Sequence, residues 1–280
     1  MSRHRLRTRR QFLQAAGATV SSASLALLSG FGLTGCARRT GRKPNVILVL
    51  TDDQGFGDLG CHGNPNIRTP RLDGFHAESV RLTNFYACPL CSPTRASLLT
   101  GRYNYRTGVV DTWVGLSLMR PEELTIAELL RAAGYRTGIF GKWHLGDHYP
   151  LRPHEQGFEE CLIHKGAGMG GRSNPPGNLY YDPVLYHNEE AKTYRGYCTD
   201  IFFRAAEEYI KAHAAEPFFV YLPTNVPHVP LEIAAEEVTP YTDLGLDETT
   251  ARHYAMLSNL DANFGRLLDT VERLGLTRDT

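Results

Sequence analysis

Asn45-Val46-Ile47-Leu48-Val49-Leu50-Thr51-Asp52-Asp53 is a short continuous apolar run closed by two acids. Its Val, Ile and Leu side chains point alternately to both faces of an extended backbone, so the run suits a strand covered on both sides. Strands of that kind belong to mostly parallel sheets flanked by helices, and the run therefore predicts an α/β fold. Tyr135-Arg136-Thr137-Gly138-Ile139-Phe140 and Pro217-Phe218-Phe219-Val220-Tyr221-Leu222 read as further strands, and so do residues 80–86. Between them, Thr69 caps a helix that has Pro70 at its first position, and residues 125–133 carry apolar side chains at helical spacing before Gly134. An amphipathic helix is expected over residues 197–215 and a long one over 247–276. Residues 166–178, dense in Gly, Pro, Ser and Asn, form a loop of the sort that borders a site.

In open α/β sheets ligands gather at the carboxyl ends of the strands. Asp52-Asp53 closes the first strand, Gly141-Lys142-Trp143-His144 follows the second, and Asn225-Val226-Pro227-His228-Val229-Pro230 follows the third. Lys142 and His144, two apart, share one side of any extended segment. Two carboxylates about 4 Å apart repel by roughly 4 kcal/mol at an effective dielectric of 20. A cation removes that penalty, and hard oxygen ligands favour calcium or magnesium. The same pair also suits a cap for the turn Gln54-Gly55-Phe56-Gly57-Asp58, and the residues alone leave both readings open.

Between the first two strand ends lies Cys91-Ser92-Pro93-Thr94-Arg95-Ala96-Ser97-Leu98-Leu99-Thr100-Gly101-Arg102. Pro93 fits the first turn of a helix, so Cys91 sits at or just before a helix N-terminus, where orphan N–H groups favour an anion. The spacing Cys-x-Pro-x-Arg, then Leu98-x-x-Gly101-Arg102, resembles the signature of the type I sulfatases, whose cysteine is oxidised to formylglycine by a formylglycine-generating enzyme. The resemblance extends over residues 45–276 and implies an alkaline-phosphatase-like sandwich with a central, mostly parallel sheet.

It also implies a chemistry. Cys91, as hydrated formylglycine, attacks the sulfur of a sulfated small molecule or glycan, and its second hydroxyl then expels the sulfate. Asp52, Asp53 and residue 91 hold Ca2+, with Mg2+ as the alternative; Arg95 orients residue 91 and Lys142 binds sulfate oxygens. His144 is the base for the diol, and His228 binds sulfate and protonates the leaving oxygen. Thr94 departs from the commoner Ser. Family members continue past the long helix into a strand ending in Asp-Asn or Asp-Gln and then a lysine, whereas this sequence ends at Thr280. The resemblance thus implies an incomplete catalytic domain over residues 45–280, with catalysis by this chain alone in doubt. A phosphatase or phosphonate hydrolase on the same scaffold is the rival enzyme, and a glycan-binding fragment is the rival outside enzymology.

At 280 residues and 42% hydrophobic content the chain can bury a substantial single core. Its formal charge of zero hides an asymmetry: five of thirty basic residues precede residue 11 and no acid precedes Asp52, leaving 25 basic against 30 acidic from residue 36 onward. That balance excludes nucleic acid as an expected partner. Arg9-Arg10 with the weakly apolar run after them resembles a leader for the Tat export machinery, and Leu33-Thr34-Gly35-Cys36 resembles a lipoprotein box. Residues 1–36 therefore read as a signal peptide, with a retained anchor as the other reading, and 37–44 as a linker. The expected location is periplasmic, or at the cell envelope through a lipid on Cys36. Cys61, Cys88, Cys161 and Cys198 allow three disulfide pairings or free thiols.

Overall fold

Six strands build one sheet: β1 (Val46–Leu50), β2 (Arg136–Lys142), β3 (Glu160–His164), β4 (Val184–His187), β5 (Glu190–Thr193) and β6 (Phe218–Pro223). Their spatial order is β1-β6-β2-β3-β4-β5. The first four in that order run parallel, with Val46 opposite Phe219, Arg136 opposite Phe218 and Lys142 opposite His164, and β4 and β5 are antiparallel. The computed structural model describes residues 43–280 except residue 114. The twin-arginine pattern at Arg9-Arg10 and the box at Cys36 lie outside the described residues.

Among the described residues there are six α-helices: α1 (Pro70–Ala77), α2 (Cys91–Thr100), α3 (Ile126–Ala132), α4 (Cys198–Ala212), α5 (Ala235–Thr242) and α6 (Glu248–Arg273). Side chains of β6 alternate between two cores, as the period of a strand requires. Phe218, Val220 and Leu222 pack with Phe202 and Phe203 of α4 and Met256 and Leu260 of α6. On the opposite face, Phe219 and Tyr221 meet Ala96 and Leu99 of α2, Ala127 of α3, and Trp143. Local signals set the helix ends. Thr125 and Glu128 form a reciprocal capping box on α3, and the Asp247 carboxylate accepts from two N–H groups of α6.

Several expectations need correction. Residues 80–86 form no strand; they are irregular and open to solvent, with Val80 91% and Tyr86 83% exposed. A strand needs a neighbour's backbone groups, and among the described residues β1 pairs only with β6. As an edge strand, β1 is half-buried along its length rather than fully covered. Thr69 makes no side-chain cap; its hydroxyl accepts from the Gly60 N–H and donates to Asp73. The β4–β5 hairpin escaped sequence reading because its left-handed turn residues are Asn188 and Glu189, with φ of 46° and 76°, and contain no glycine. The described cysteines are free thiols, and Cys161 and Cys198 are buried. Among the described residues no helix is long and apolar enough to cross a membrane.

Candidate active site

Because β1, β6 and β2 run parallel, their carboxyl ends open on one edge of the sheet, and the polar residues that follow them meet there. The β1–β6 pairing continues past the strands: Thr224 N–H donates to Leu50 O at 2.8 Å and Asp52 N–H to Val226 O at 3.0 Å. On the neighbouring seam, a Cβ on Gly141 would fall 2.0 Å from the Pro223 carbonyl oxygen, at a φ of 139°. Only glycine lets β2 close on β6 here, one residue before Lys142.

Asp52 is the hub. Its Oδ1 accepts from Arg95 Nη2 at 3.1 Å and its Oδ2 from Lys142 Nζ at 2.5 Å, and all three side chains are at most 2% exposed. Arg95 Nη1 also donates to the Lys142 carbonyl at 2.7 Å, so one guanidinium on α2 ties the ends of β1 and β2 together. Burial alone would raise the Asp52 carboxyl; the charges of Arg95 and Lys142 more than reverse this and hold it below the usual range. Burial pulls the Lys142 ammonium down, and Asp52 opposes that pull.

Cys91 occupies the first position of α2, as its spacing from Pro93 predicts. Its Sγ lies 3.3 Å from His144 Nδ1, while His144 Nε2 lies 2.8 Å from the Thr112 carbonyl. A carbonyl only accepts, so Nε2 carries the hydrogen and Nδ1 presents a lone pair to residue 91. Burial first, and the Lys142 charge second, push His144 down to about 3, which keeps the ring neutral at physiological pH. The expected extended geometry at His144 is not what delivers it: its φ is 58°, and this left-handed turn swings the ring to Cys91. Ser92 Oγ donates to the His144 carbonyl at 2.9 Å and holds the turn. Thr94 donates to the Cys88 carbonyl at 2.9 Å, a bond that a serine hydroxyl would make equally.

Asp53 and His228 form the outer part. Asp53 has a left-handed backbone, with φ 65°, and its Oδ2 lies 3.6 Å from His228 Nε2. His228 Nδ1 donates to the Val229 carbonyl at 2.6 Å, which leaves Nε2 facing the acid. The Tyr180 hydroxyl, 2.8 and 2.7 Å from the carbonyls of Asn225 and His228, pins this loop. The glycine-rich loop does border the site: a Cβ on Gly168 would sit 3.1 Å from the His228 ring.

Asp52, Asp53, Cys91 and Arg95 line one cleft of about 460 Å³. The two acids fit a hard cation. Each Asp52 oxygen accepts one bond and keeps a lone pair, and the Asp53 side chain is 58% exposed. The Cys91 sulfur does not fit, because calcium takes oxygen ligands, and the three residues' ligand atoms do not all fall within 4.8 Å of one another. An oxygen at that position, in place of the sulfur, would suit the donor set. Four contributors escaped sequence reading: the Thr112 carbonyl, Tyr180, Asn225 and His164. His164 is fully buried opposite Lys142 and pushed down to about 3, by burial and then by that lysine. Only the β2–β3 register would have revealed it.

The family described as Sulfatase matches residues 44–280. Human N-acetylgalactosamine-6-sulfatase is 33% identical over 272 residues, covering 90% of this chain and 50% of that protein. The crystal structure of Ps i-CgsB in complex with k-i-k-neocarrahexaose superposes with a TM-score of 0.76 at 25% identity, covering 85% of this chain and 57% of the other. The phosphonate monoester hydrolase of Agrobacterium radiobacter shares the fold, with a TM-score of 0.57 at 20% identity, over 85% of this chain and 61% of the other. The chain spans about half the length of the curated relatives it matches. The sheet is that of the alkaline-phosphatase-like sulfatases, and with the family match running from just before β1 to the last residue, this chain belongs to the sulfatase family.

Proposed function

We propose that the chain hydrolyses sulfate esters, with residue 91 as nucleophile after conversion of its cysteine to formylglycine and with Ca2+ at Asp52 and Asp53. The observation that carries this reading is the 3.3 Å approach of Cys91 Sγ to the lone pair of a neutral His144. A hydroxyl in place of that thiol donates to Nδ1 and is thereby aimed into the cleft.

Hydrated formylglycine supplies one oxygen to attack sulfur and a second to release the sulfate. Asp52 and Asp53, with an oxygen of residue 91, would hold a calcium ion, which would supply Lewis-acid polarisation of the sulfate. The remaining steps belong to side chains already in place. Arg95 lines the cleft and Lys142 lies buried against Asp52, so two fixed positive charges act on the anion with no reorganisation at the moment of reaction. His144 holds the nucleophile through Nδ1, and the arriving negative charge of the ester raises its affinity for the proton. His228 has its Nδ1 hydrogen tied to Val229, so the proton it delivers to the leaving oxygen is the one on Nε2.

One set of relatives is named for N-acetylgalactosamine 6-sulfate and one structural neighbour holds a neocarrahexaose, and on these names we favour a sulfated sugar as substrate. We also propose export through the arginine-rich leader, with Cys36 as the lipid-bearing residue. The function is tested by producing the chain with a formylglycine-generating enzyme and assaying sulfate release from sulfated sugars. Turnover of phosphate or phosphonate esters without sulfate release supports the rival enzyme. Saturable glycan binding with no release after full conversion of Cys91 supports the binding fragment.

A further inference from the structure

Away from the catalytic cleft, the short helical turn Gly60–His62 packs against α1 and brings three metal-ligating side chains together. The ligand atoms of Cys61, His62 and His76 all lie within 4.8 Å of one another. The two histidines lie fourteen positions apart, so no compact sequence motif announces the group; the fold assembles it.

The details around each ligand are those of a metal site. The Phe56 carbonyl lies 2.6 Å from His62 Nδ1. It can only accept, so Nδ1 carries the hydrogen and Nε2 keeps its lone pair, the arrangement that orients a ligating imidazole. The Phe56 ring stacks on His62 at 4.3 Å and holds its plane. His76 Nε2 is buried with no hydrogen-bond partner among the described residues, which leaves a buried nitrogen that coordination would satisfy. His76 also sits in the last turn of α1, where the helix dipole favours a cation. Asp73 binds the Cys61 N–H through Oδ1 at 2.7 Å and stands beside the thiol as an outer-shell acceptor.

We propose that Cys61, His62 and His76 bind a zinc ion, in a site separate from the hard-oxygen site at Asp52 and Asp53. One thiolate and two imidazoles prefer a borderline transition metal to calcium, and zinc accepts this set with a fourth position open to water. As the Zn–S bond forms, the thiol releases its proton to solvent, with Asp73 placed to relay it. The ion ties the turn that follows the Asp52-Asp53 corner to α1.

The test uses the untagged full chain carrying Cys91→Ala together with Cys88→Ser (the Cys91→Ala chain below), so that no sulfur lining the catalytic cleft contributes. Titration with Co2+ is expected to give a thiolate-to-cobalt charge-transfer band that saturates at one equivalent and is displaced by Zn2+. Adding Cys61→Ser abolishes the band, and His76→Gln weakens cobalt affinity at least tenfold, with circular dichroism confirming that both variants remain folded. Zn2+ raises the melting temperature of the Cys91→Ala chain but not that of the chain that also carries Cys61→Ser. Absence of the band in the folded Cys91→Ala chain, which needs no further variant, overturns the proposal, and so does a band that survives Cys61→Ser.

Discussion

Lys142 Nζ lies 2.5 Å from Asp52 Oδ2, the ammonium fully buried and the carboxylate 2% exposed. Arg95 holds the other oxygen, so a single acid compensates two buried cations. Removing one member of such a set leaves uncompensated buried charge, at a cost of about 3–5 kcal/mol. Asp52→Ala is therefore expected to lower the unfolding free energy by about that amount in urea titrations. Combining it with Lys142→Met is expected to cost less than the two single changes together, because the orphaned ammonium is gone. Strictly additive costs would show that the pair is not coupled.

His144 touches Cys91, the proposed nucleophile, through one nitrogen and a carbonyl through the other, and its backbone is left-handed. Asparagine tolerates that conformation better than alanine. His144→Asn is expected to lower kcat for sulfate release by about 10² to 10⁴, with little change in melting temperature, since the lost contact positions a proton. An equal fall in kcat/KM that comes entirely from KM would assign the ring to substrate binding instead.

The two buried histidines give the fold a defined pH response. His144 and His164 are both pushed down to about 3, by burial first and Lys142 second, whereas an unfolded histidine titrates near 6.5. Between those values the unfolded chain binds more protons, so stability falls as the pH drops from about 6.5 toward 3. The slope is up to about 1.4 kcal/mol per pH unit for each ring. Asp52, whose folded pKa is depressed, adds a further loss below about pH 4. Denaturant titrations at several acidic pH values measure the slope, and His164→Gln is expected to reduce it. An unchanged slope in that variant would contradict the assignment.

Asp53 is 58% exposed and pairs only loosely with His228, so its charge contributes little to folding. Asp53→Asn is expected to leave the melting temperature of the metal-free chain within about 2 °C, in keeping with surface changes of ±0.5 kcal/mol. The same change is expected to weaken Ca2+ binding at least tenfold in a calorimetric titration. Calcium affinity equal to that of the unchanged chain would remove Asp53 from the ligand set.

What could be read from the sequence follows from how each residue is placed. Asp52, Lys142 and His228 each trail an apolar run that becomes a parallel strand, so strand identity alone sends them to one edge. Cys91 and Arg95 are one helical turn apart, and Pro93 fixes where that turn begins. Contacts made by other routes were silent. The Thr112 carbonyl lies 32 residues from His144, and the value of His164 depends on β3 pairing with β2. Residues 80–86 have strand composition, yet composition cannot say whether an edge is there to receive them. Cys61, His62 and His76 looked ordinary singly because only the packing of the Gly60–His62 turn on α1 unites them.

The central claim is that residue 91 acts through oxygen. It is tested most directly by mass spectrometry of the Cys91 peptide, with sulfate release measured on the same preparation, made with and without a formylglycine-generating enzyme. The account predicts that sulfate release rises in proportion to the fraction of residue 91 converted to the aldehyde, and that the unconverted thiol is inactive. Sulfate release by a preparation in which residue 91 is entirely cysteine would contradict it.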